Sequence, residues 1–330
     1  MGANNRTGNI AASLTSGFLA ASLLFISRMQ GPEGILLLDR FIPGIGGWLQ
    51  IFLIGIYAGT VAYMLLSHPD SSRIRLGIWN FFTIIFFSQF LAGIFISDTF
   101  LMSGNLHIPV PALIMAGPIY RSTSWFMPIL FLSTMLLAGP SWCSYLCYYG
   151  SMDGRAASIP AESRPRTRKL KAMRYSVFLM VIALAILMRM LQVPVNYATT
   201  AAVSFGLAGI LLMLTVSRKR GLMVHCTSWC PIGLLSNIIG KISPFRIRID
   251  KSCLYCMKCT DSCRYDALSA EDMKKGRAGF TCTLCGDCLS SCGRGSIHYH
   301  FPGLSYQASR ILFLIIISAL HAAFLGIARI

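Results

Sequence analysis

The stretch that decides how this chain can be interpreted is Cys253-Leu-Tyr-Cys256-Met-Lys-Cys259-Thr-Asp-Ser-Cys263. After eighteen intervening residues, the same spacing returns in Cys282-Thr-Leu-Cys285-Gly-Asp-Cys288-Leu-Ser-Ser-Cys292. Each run reads C-x2-C-x2-C-x3-C, and its repetition makes the pattern far more specific than a lone C-x2-C pair. The other four of the twelve cysteines lie upstream in two C-x3-C pairs. The cysteines therefore divide into three groups of four.

This spacing is typical of bacterial ferredoxins that hold two 4Fe-4S clusters. In those proteins the first three cysteines of one run bind one cluster, while the fourth crosses over to the other cluster. The pattern therefore predicts two sets of ligands. The cluster-1 cysteines are Cys253, Cys256, Cys259 and Cys292, and the cluster-2 cysteines are Cys282, Cys285, Cys288 and Cys263.

Structural zinc and disulfides are the alternatives to iron–sulfur clusters in these runs. Zinc ribbons use four ligands in two pairs, which would leave the extra pair of cysteines in each run without a role. Cysteines only two residues apart bridge poorly. The segment is also predicted to face a reducing compartment, where disulfides are rare.

The composition is that of an integral membrane protein. The 330 residues are 55% hydrophobic and only 12% charged, with a mean hydropathy of +0.62, whereas soluble domains carry about 25% charged residues. The net charge of +17 raises the question of a nucleic-acid partner. Most of the basic residues, however, lie in short loops beside apolar segments, where they orient the chain in a membrane. No nucleic-acid partner is expected.

Seven apolar segments approach the ~20 residues that a bilayer-spanning helix needs. The first has a thin charged region before it and no A-x-A site after it, so a retained helix is expected rather than a cleaved signal sequence. The fourth segment is short and ends just before a cysteine pair. The seven segments cover approximately residues 9–26, 48–66, 76–96, 125–138, 175–193, 199–216 and 311–328.

Loop charges predict the orientation of these spans. The loop after the fourth span carries seven arginines and lysines between residues 155 and 174, and Arg218, Lys219 and Arg220 follow the sixth span. By the positive-inside rule both loops are cytoplasmic. The loop after the first span carries two bases and two acids and falls outside. The amino terminus and the ferredoxin segment are therefore predicted on the cytoplasmic side of the inner (plasma) membrane.

The remaining cysteines form an internal repeat at the ends of two spans. Cys143 and Cys147 follow the fourth span, and Cys226 and Cys230 follow the sixth, each pair in a C-x3-C motif. We call these four the membrane-edge cysteines. On helical turns, cysteines four apart point the same way. They are candidates for a third iron–sulfur cluster, for redox-active thiols that form reversible disulfides, or for a copper site. Buried packing thiols are the simplest alternative.

Taken together, these features resemble the NapH/NosR/MauN family of membrane-bound ferredoxin-type proteins. The resemblance rests on two C-x3-C motifs after membrane spans, Pro231 after the second motif, and Pro244-Phe-Arg-Ile-Arg-Ile-Asp250-Lys251 leading into the two cysteine runs. It covers about residues 76–301 and includes Gly104-Asn105-Leu106. Family membership implies that the spans take electrons from quinol and that the clusters relay them to a redox partner. Tyr148, where the first motif would have proline, departs from the family pattern.

The predicted domains follow from this resemblance. Residues 1–70 hold transmembrane helices outside the match, residues 71–240 form the transmembrane core with both C-x3-C motifs, residues 241–302 form the two-cluster ferredoxin-like α+β domain, and residues 303–330 form a last transmembrane helix. The first and last of these are expected to dock other subunits.

The spans contain few groups that could do chemistry. His321 is the one histidine well inside a span, so a haem held by two histidines is not expected in this chain. His321 is a candidate functional residue, at a quinone or a partner helix, with a structural hydrogen bond to a backbone carbonyl as the alternative. No catalytic acid, base or open metal site is recognisable, so bond chemistry other than quinol oxidation is assigned to a partner subunit.

Two functions from different classes fit the sequence. The first is a membrane electron-transfer subunit of an oxidoreductase complex, quinol dehydrogenase-like, which relays electrons between the quinone pool or a membrane partner and redox proteins. The basic residues among the cysteine runs would attract an acidic electron-transfer protein, or they face anionic lipid headgroups. The second function is cofactor maturation or copper handling, in which the membrane-edge cysteines bind or reduce the metal. A redox sensor is disfavoured because no signalling module is recognisable.

Overall fold

The structure, a computed structural model, describes residues 3–68, 70–101, 108–123, 125–159, 164–165 and 167–327. The helices are α1 (Ala3–Gln30), α2 (Leu37–Phe41), α3 (Gly46–Ser67), α4 (Ser71–Phe95), α5 (Leu113–Arg121), α6 (Phe126–Ala138), α7 (Tyr148–Ala157), α8 (Arg168–Met190), α9 (Val195–Leu212), α10 (Arg218–Arg220), α11 (Pro231–Ile239), α12 (Lys258–Ser262), α13 (Ala270–Lys274), α14 (Asp287–Ser291) and α15 (Tyr306–Ile327). Within the described residues there are two strands, β1 (Arg246–Ile249) and β2 (Ile297–His300).

Seven helical segments in the described part of the chain are long and apolar enough to cross a membrane. The predicted number of transmembrane helices is therefore confirmed. The fourth span is longer than predicted, because a 3-10 turn at Gly139–Ser141 and a π-helical turn at Trp142–Leu146 continue α6. The seven spans are Arg6–Gln30, Gly46–Ser67, Ser71–Phe95, Phe126–Leu146, Arg168–Met190, Val195–Arg220 and Tyr306–Ile327.

The chain forms two compact units, Met1–His107 with Leu304–Ile330, and Ile108–Gly303. The helices at the two ends of the chain thus belong to the same unit. The domain boundaries predicted from the sequence divide the chain differently and stay predictions. The Gly104-Asn105-Leu106 segment of the family resemblance lies outside the described residues.

In the first unit, α1, α3 and α15 pack closely through small residues. Ala20, Ala58, Ala319 and Ala322 are fully buried together, and a Cβ on Gly17 would lie 2.8 Å from the carbonyl oxygen of Gly55. Membrane helices lack a hydrophobic driving force between them, so close backbone approach through small residues is a common way to hold them together. The three spans therefore form a bundle through van der Waals packing.

His321 lies inside this bundle and is fully buried on α15. Its Nε2 is 3.0 Å from the hydroxyl of Tyr57 on α3, and its ring also packs against Phe82, with ring centroids 5.2 Å apart. The histidine thus has the side chain of Tyr57 as a hydrogen-bond partner. This hydrogen bond satisfies a polar group that would be costly to leave unpaired in the membrane.

In the second unit, the ferredoxin segment is built on β1 and β2, which pair in antiparallel fashion from Arg246 opposite His300 to Ile249 opposite Ile297. Fully buried residues alternate with less buried ones along β1 and β2, which gives each strand one inward face. The two cysteine runs lie between these strands in the chain, and each run leads into a short helix, α12 or α14. This arrangement brings the runs side by side.

Candidate iron–sulfur sites

The two cysteine runs adopt equivalent backbone conformations. In both, the residue before the second cysteine, the residue after it and the third residue beyond the fourth cysteine have φ between 50° and 83°. Left-handed backbone costs roughly 1–2 kcal/mol per residue that is not glycine, so each loop is held in this shape by its surroundings. The three equivalent pairs are Tyr255 and Leu284, Met257 and Gly286, and Asp266 and Gly295.

The structure brings the cluster-1 cysteines together. Burial raises the pKa of the Cys259 thiol to about 11, and the neighbouring thiols of Cys292, Cys253 and Cys256 raise this pKa further. Cys292 belongs to the second run and the other three belong to the first. The fourth cysteine therefore lies beside the opposite trio, as the spacing predicts.

The cluster-2 cysteines converge in the same crossed pattern. Burial raises the pKa of Cys288 well above its ordinary value, and the thiols of Cys285, Cys263 and Cys282 raise it further. All four cysteines line one cavity with about 320 Å³ of space free of protein atoms, part of it open to solvent. Its other walls are mainly apolar and come from Ile247, Tyr265, Ala267, Leu268, Ala278, Thr283 and Gly286.

Backbone N–H groups are directed at the fourth cysteine of each run. The N–H of Ala267 donates to Sγ of Cys263 at 3.3 Å, and the N–H of Ser296 donates to Sγ of Cys292 at 3.3 Å. The donor is the fourth residue after the cysteine in both cases. Such N–H···S hydrogen bonds stabilise cluster thiolates and tune the reduction potential of an iron–sulfur cluster.

A cubane and a single metal ion require different spacings of their thiolates. In the described residues, no group of three or more Cys, His, Asp or Glu side chains is placed to hold one metal ion. Four thiolates around one zinc ion would lie about 3.8 Å apart. A cubane separates its four thiolates further, because each binds a different iron. None of the twelve cysteines, all of which lie in the described residues, forms a disulfide. Their assignment as ligands stays a prediction.

The membrane-edge cysteines lie in two further equivalent motifs. Trp142–Leu146 and His225–Trp229 form single π-helical turns, each closed by a hydrogen bond from the N–H of the second cysteine to the carbonyl five residues earlier. Cys147 and Cys230 then leave the helix with extended backbone. The prediction of helical turns is therefore met by a π turn, which widens the backbone at this point and occurs frequently at functional sites.

The four membrane-edge thiols converge. Burial raises the pKa of Cys226 well above its ordinary value, and Asp153 and the thiols of Cys147, Cys230 and Cys143 raise it further. Burial also raises the pKa of both Cys147 and Cys230 to about 12. Neutral thiols are therefore favoured, and four thiolates could coexist here only beside a strong positive charge such as that of iron.

Helix amino termini partly oppose this effect of burial. Cys147 precedes α7 and accepts hydrogen bonds from the N–H groups of Tyr149 and Gly150, which lower its pKa. Cys230 precedes α11 and accepts equivalent bonds from residues 232 and 233. The positive end of a helix favours a thiolate. Both second cysteines are thus placed where negative charge is stabilised.

Two buried side chains that sequence reasoning missed surround this site. Asp153 is fully buried, and its Oδ2 accepts the N–H of Cys226 at 3.0 Å. Burial raises the pKa of Asp153 to about 6 and lowers the pKa of His225 to about 3. The His225 ring packs against Tyr149, with centroids 5.4 Å apart. Asp153 follows Cys147 by six residues in the repeat, a signal too weak to have identified it from the sequence.

The first C-x3-C motif, residues 142–147, is one of the two membrane-edge motifs. Hydrogen bonds join it to the cluster-2 loop, by which we mean residues 263–265 and 282–288; the cluster-1 loop is residues 253–258. Oγ of Ser144 donates to the carbonyl of Thr283 at 2.8 Å, and the hydroxyl of Tyr265 donates to the carbonyl of Cys143 at 3.0 Å. Gly139 has φ 65°, and a Cβ there would lie 2.8 Å from Oγ of Ser243. A larger residue would therefore separate the end of the fourth span from the ferredoxin segment.

The cluster-1 loop lies in different surroundings. Cys256 is exposed, as are Lys251 and Lys258 on either side of it. In contrast, Cys263 and Cys288 of the cluster-2 set are buried. Cluster 1 is therefore the one of the three cysteine groups with an exposed member, Cys256, although Cys259 of the same group is buried.

Comparisons with known proteins support iron–sulfur binding. A family model described as a 4Fe-4S binding domain matches residues 123–158 and 199–250. These two segments contain the four membrane-edge cysteines and none of the eight cysteines of the ferredoxin runs. No solved structure matches the chain.

Two curated relatives resemble the chain weakly. The "Putative electron transport protein YccM" of Escherichia coli (strain K12) is 24% identical over 200 residues, which cover 53% of this chain and 55% of the relative. The "Uncharacterized protein MJ0749" of Methanocaldococcus jannaschii is 22% identical over 174 residues, which cover 49% of this chain and 65% of the relative. The chain thus spans between half and two thirds of these relatives. The findings support a multi-pass membrane protein with a 4Fe-4S binding domain.

Proposed function

We propose that the chain is a membrane electron-transfer subunit of the NapH/NosR/MauN type. It relays electrons between the quinone pool, or a membrane partner, and a redox protein at the cytoplasmic side of the inner membrane. The membrane-edge cysteines hold a third iron–sulfur cluster beside the two cubanes of the ferredoxin segment. When bound, these clusters supply one-electron transfer.

The observation that carries this proposal is the direct link between the membrane-edge motif and the cluster-2 loop. Tyr265 and Ser144 join the two backbones without an intervening segment. Cys263 is the fourth cysteine of the first run and is predicted to bind the cluster of the second run. It lies two residues before Tyr265. An electron relay needs a series of neighbouring redox sites. In the proposed relay, three groups of cysteines form this series between the end of the fourth span and the exposed loop around Cys256.

The match to a 4Fe-4S binding domain supports a cluster, rather than packing thiols, at the membrane-edge cysteines, because these are the cysteines that it contains. Copper handling remains the alternative function. Two thiolates can hold a single Cu(I) ion, so the cysteines alone fit both functions. The match to a 4Fe-4S binding domain favours the relay.

Iron and acid-labile sulfide analysis with EPR, carried out anaerobically on the purified protein, tests the proposal. We expect about twelve irons per chain in the native protein. A variant with Cys143, Cys147, Cys226 and Cys230 changed to serine should fall to about eight irons and keep the EPR signals of two cubanes.

Other outcomes separate the alternatives. About eight irons in both proteins would remove the third cluster, and stoichiometric copper binding lost in the variant would then support metal handling. Fewer than about four irons in both would overturn the ferredoxin assignment. Addition of a reduced quinol analogue under argon should reduce the clusters of the native protein. The absence of this reduction would remove quinol as the donor.

A further inference from the structure

An exposed apolar pair lies beside the cluster-1 cysteine Cys256. Leu254 is 63% exposed and Tyr255 is 53% exposed. In the ferredoxin segment, residues 241–302, which is described without gaps, Ile242 is the one other exposed large apolar side chain. Neighbouring apolar side chains that one loop holds in water mark a surface that another molecule covers.

The equivalent loop of the second run shows what covers such a surface. Thr283 and Leu284 occupy the positions of Leu254 and Tyr255, yet each is only 3% exposed. The membrane-edge motif covers them, since Ser144 donates to the carbonyl of Thr283 at 2.8 Å. The cluster-2 loop is thus docked onto the site that precedes it in the relay, while Leu254 and Tyr255 of the cluster-1 loop stay exposed among the residues that the structure describes.

The charges around the exposed loop indicate the chemistry of its partner. Lys251 and Lys258 flank the loop and are exposed, and Arg294 is exposed two residues after Cys292. Asp261 is the acidic side chain exposed on the same short helix as Lys258. The net charge of these four side chains is positive, and it would steer a negatively charged protein towards the loop.

We infer that the loop formed by Leu254, Tyr255 and Cys256, with Lys251 and Lys258 at its rim, docks an acidic one-electron carrier protein that has an apolar centre to its contact surface. This inference rests on the proposed relay function. A protein partner fits better than a lipid surface, because the loop that contacts the end of a membrane span is the cluster-2 loop. The cluster-1 loop is the free end of the relay.

The test uses the full-length protein in nanodiscs of neutral phosphatidylcholine, reduced with dithionite and mixed in a stopped-flow apparatus with oxidised flavodoxin, a small acidic electron carrier. We expect Lys258→Glu and Leu254→Ser each to lower the second-order rate of flavodoxin reduction at least about tenfold at low ionic strength. Iron content and EPR signals should be unchanged.

Matched controls have the same chemical changes elsewhere. Lys274→Glu changes an exposed lysine on α13, and Ile242→Ser changes an apolar residue that is 75% exposed. Both should stay within about twofold of the native rate. With the basic carrier cytochrome c as acceptor, Lys258→Glu should not lower the rate, because repulsion of this carrier is reduced.

Three outcomes would overturn the inference. Equal rates in the loop variants and the controls would remove the docking surface but leave the relay intact, because EPR would still show reduced clusters. A native protein without reducible clusters would overturn the relay and the docking surface together. A native rate that falls when anionic phosphatidylglycerol replaces the neutral lipid, with no such fall in Leu254→Ser, would place the loop on the bilayer.

Discussion

The chain holds cysteines in two kinds of backbone. In the ferredoxin runs the thiols extend from loops that contain left-handed residues, and one of them, Cys256, is exposed. The membrane-edge cysteines extend from π-helical turns at helix ends, and Cys143, Cys226 and Cys230 are buried. Local sequence determines the first kind, whereas the packing of several helices determines the second. The two kinds should therefore respond differently to small changes in side-chain volume.

Gly233→Ala should have the largest effect, because it acts in the tightly packed membrane-edge motif. A Cβ at Gly233 would lie 2.1 Å from the carbonyl oxygen of Cys226, so the backbone of the π turn must move. We expect a loss of about 3 kcal/mol of stability, together with loss of the third cluster, measured as the thermal midpoint in detergent and as iron content.

The matched control is Gly293→Ala in the ferredoxin segment. Gly293 directly follows Cys292, and a Cβ there would meet nothing within 4 Å. The change should alter stability by less than about 0.5 kcal/mol. If both variants behaved alike, the two kinds of site would not differ in how tightly packing constrains them.

The difference between the two sites explains what the sequence could predict. The C-x2-C-x2-C-x3-C spacing was enough to predict two crossed ligand sets, because the loops that carry the cysteines are short, and this assignment stays a prediction. The seven spans were equally predictable from apolar length. Asp153 and His225 could not be recognised, because their positions depend on how α7 and the π turn at His225–Trp229 pack in three dimensions.

The same limit applies to the first unit. The sequence indicated His321 as a functional candidate but could not supply its partner Tyr57, which is 264 residues away in the chain. Likewise, the exposure of Leu254 and Tyr255 depends on which of two similar loops the membrane-edge motif covers. The cysteine spacing is the same in both loops, so the sequence pattern does not show which loop is covered. Tertiary structure determines it.

Within the ferredoxin segment, Gly286→Ala tests the left-handed positions. Gly286 has φ 83°, and a Cβ there would lie 2.6 Å from the hydroxyl of Tyr299. Backbone strain and this contact together should cost about 2 kcal/mol. Gly295→Ala, at φ 63° with nothing within 4 Å, should cost only about 1 kcal/mol. A reversal of this order in thermal midpoints would show that contact with Tyr299 is unimportant.

Tyr265→Phe tests the link between the two kinds of site. It removes the hydrogen bond from the Tyr265 hydroxyl to the carbonyl of Cys143, at a cost of about 1 kcal/mol. Cluster reduction by quinol should slow more than reduction by dithionite, because only the first route crosses this contact. Tyr299→Phe is the control, since its hydroxyl donates to Leu284 within the ferredoxin segment.

Met257→Gly should have the smallest effect, and it should be stabilising. Met257 has φ 64°, a conformation that glycine adopts without strain, and its equivalent in the second run is already Gly286. Relief of left-handed strain should outweigh the extra entropy of the unfolded chain, for a net gain of up to about 1 kcal/mol. A lower thermal midpoint would mean that the Met257 side chain contributes packing to the cluster-1 loop, and that this loop depends on tertiary contacts as the membrane-edge turns do.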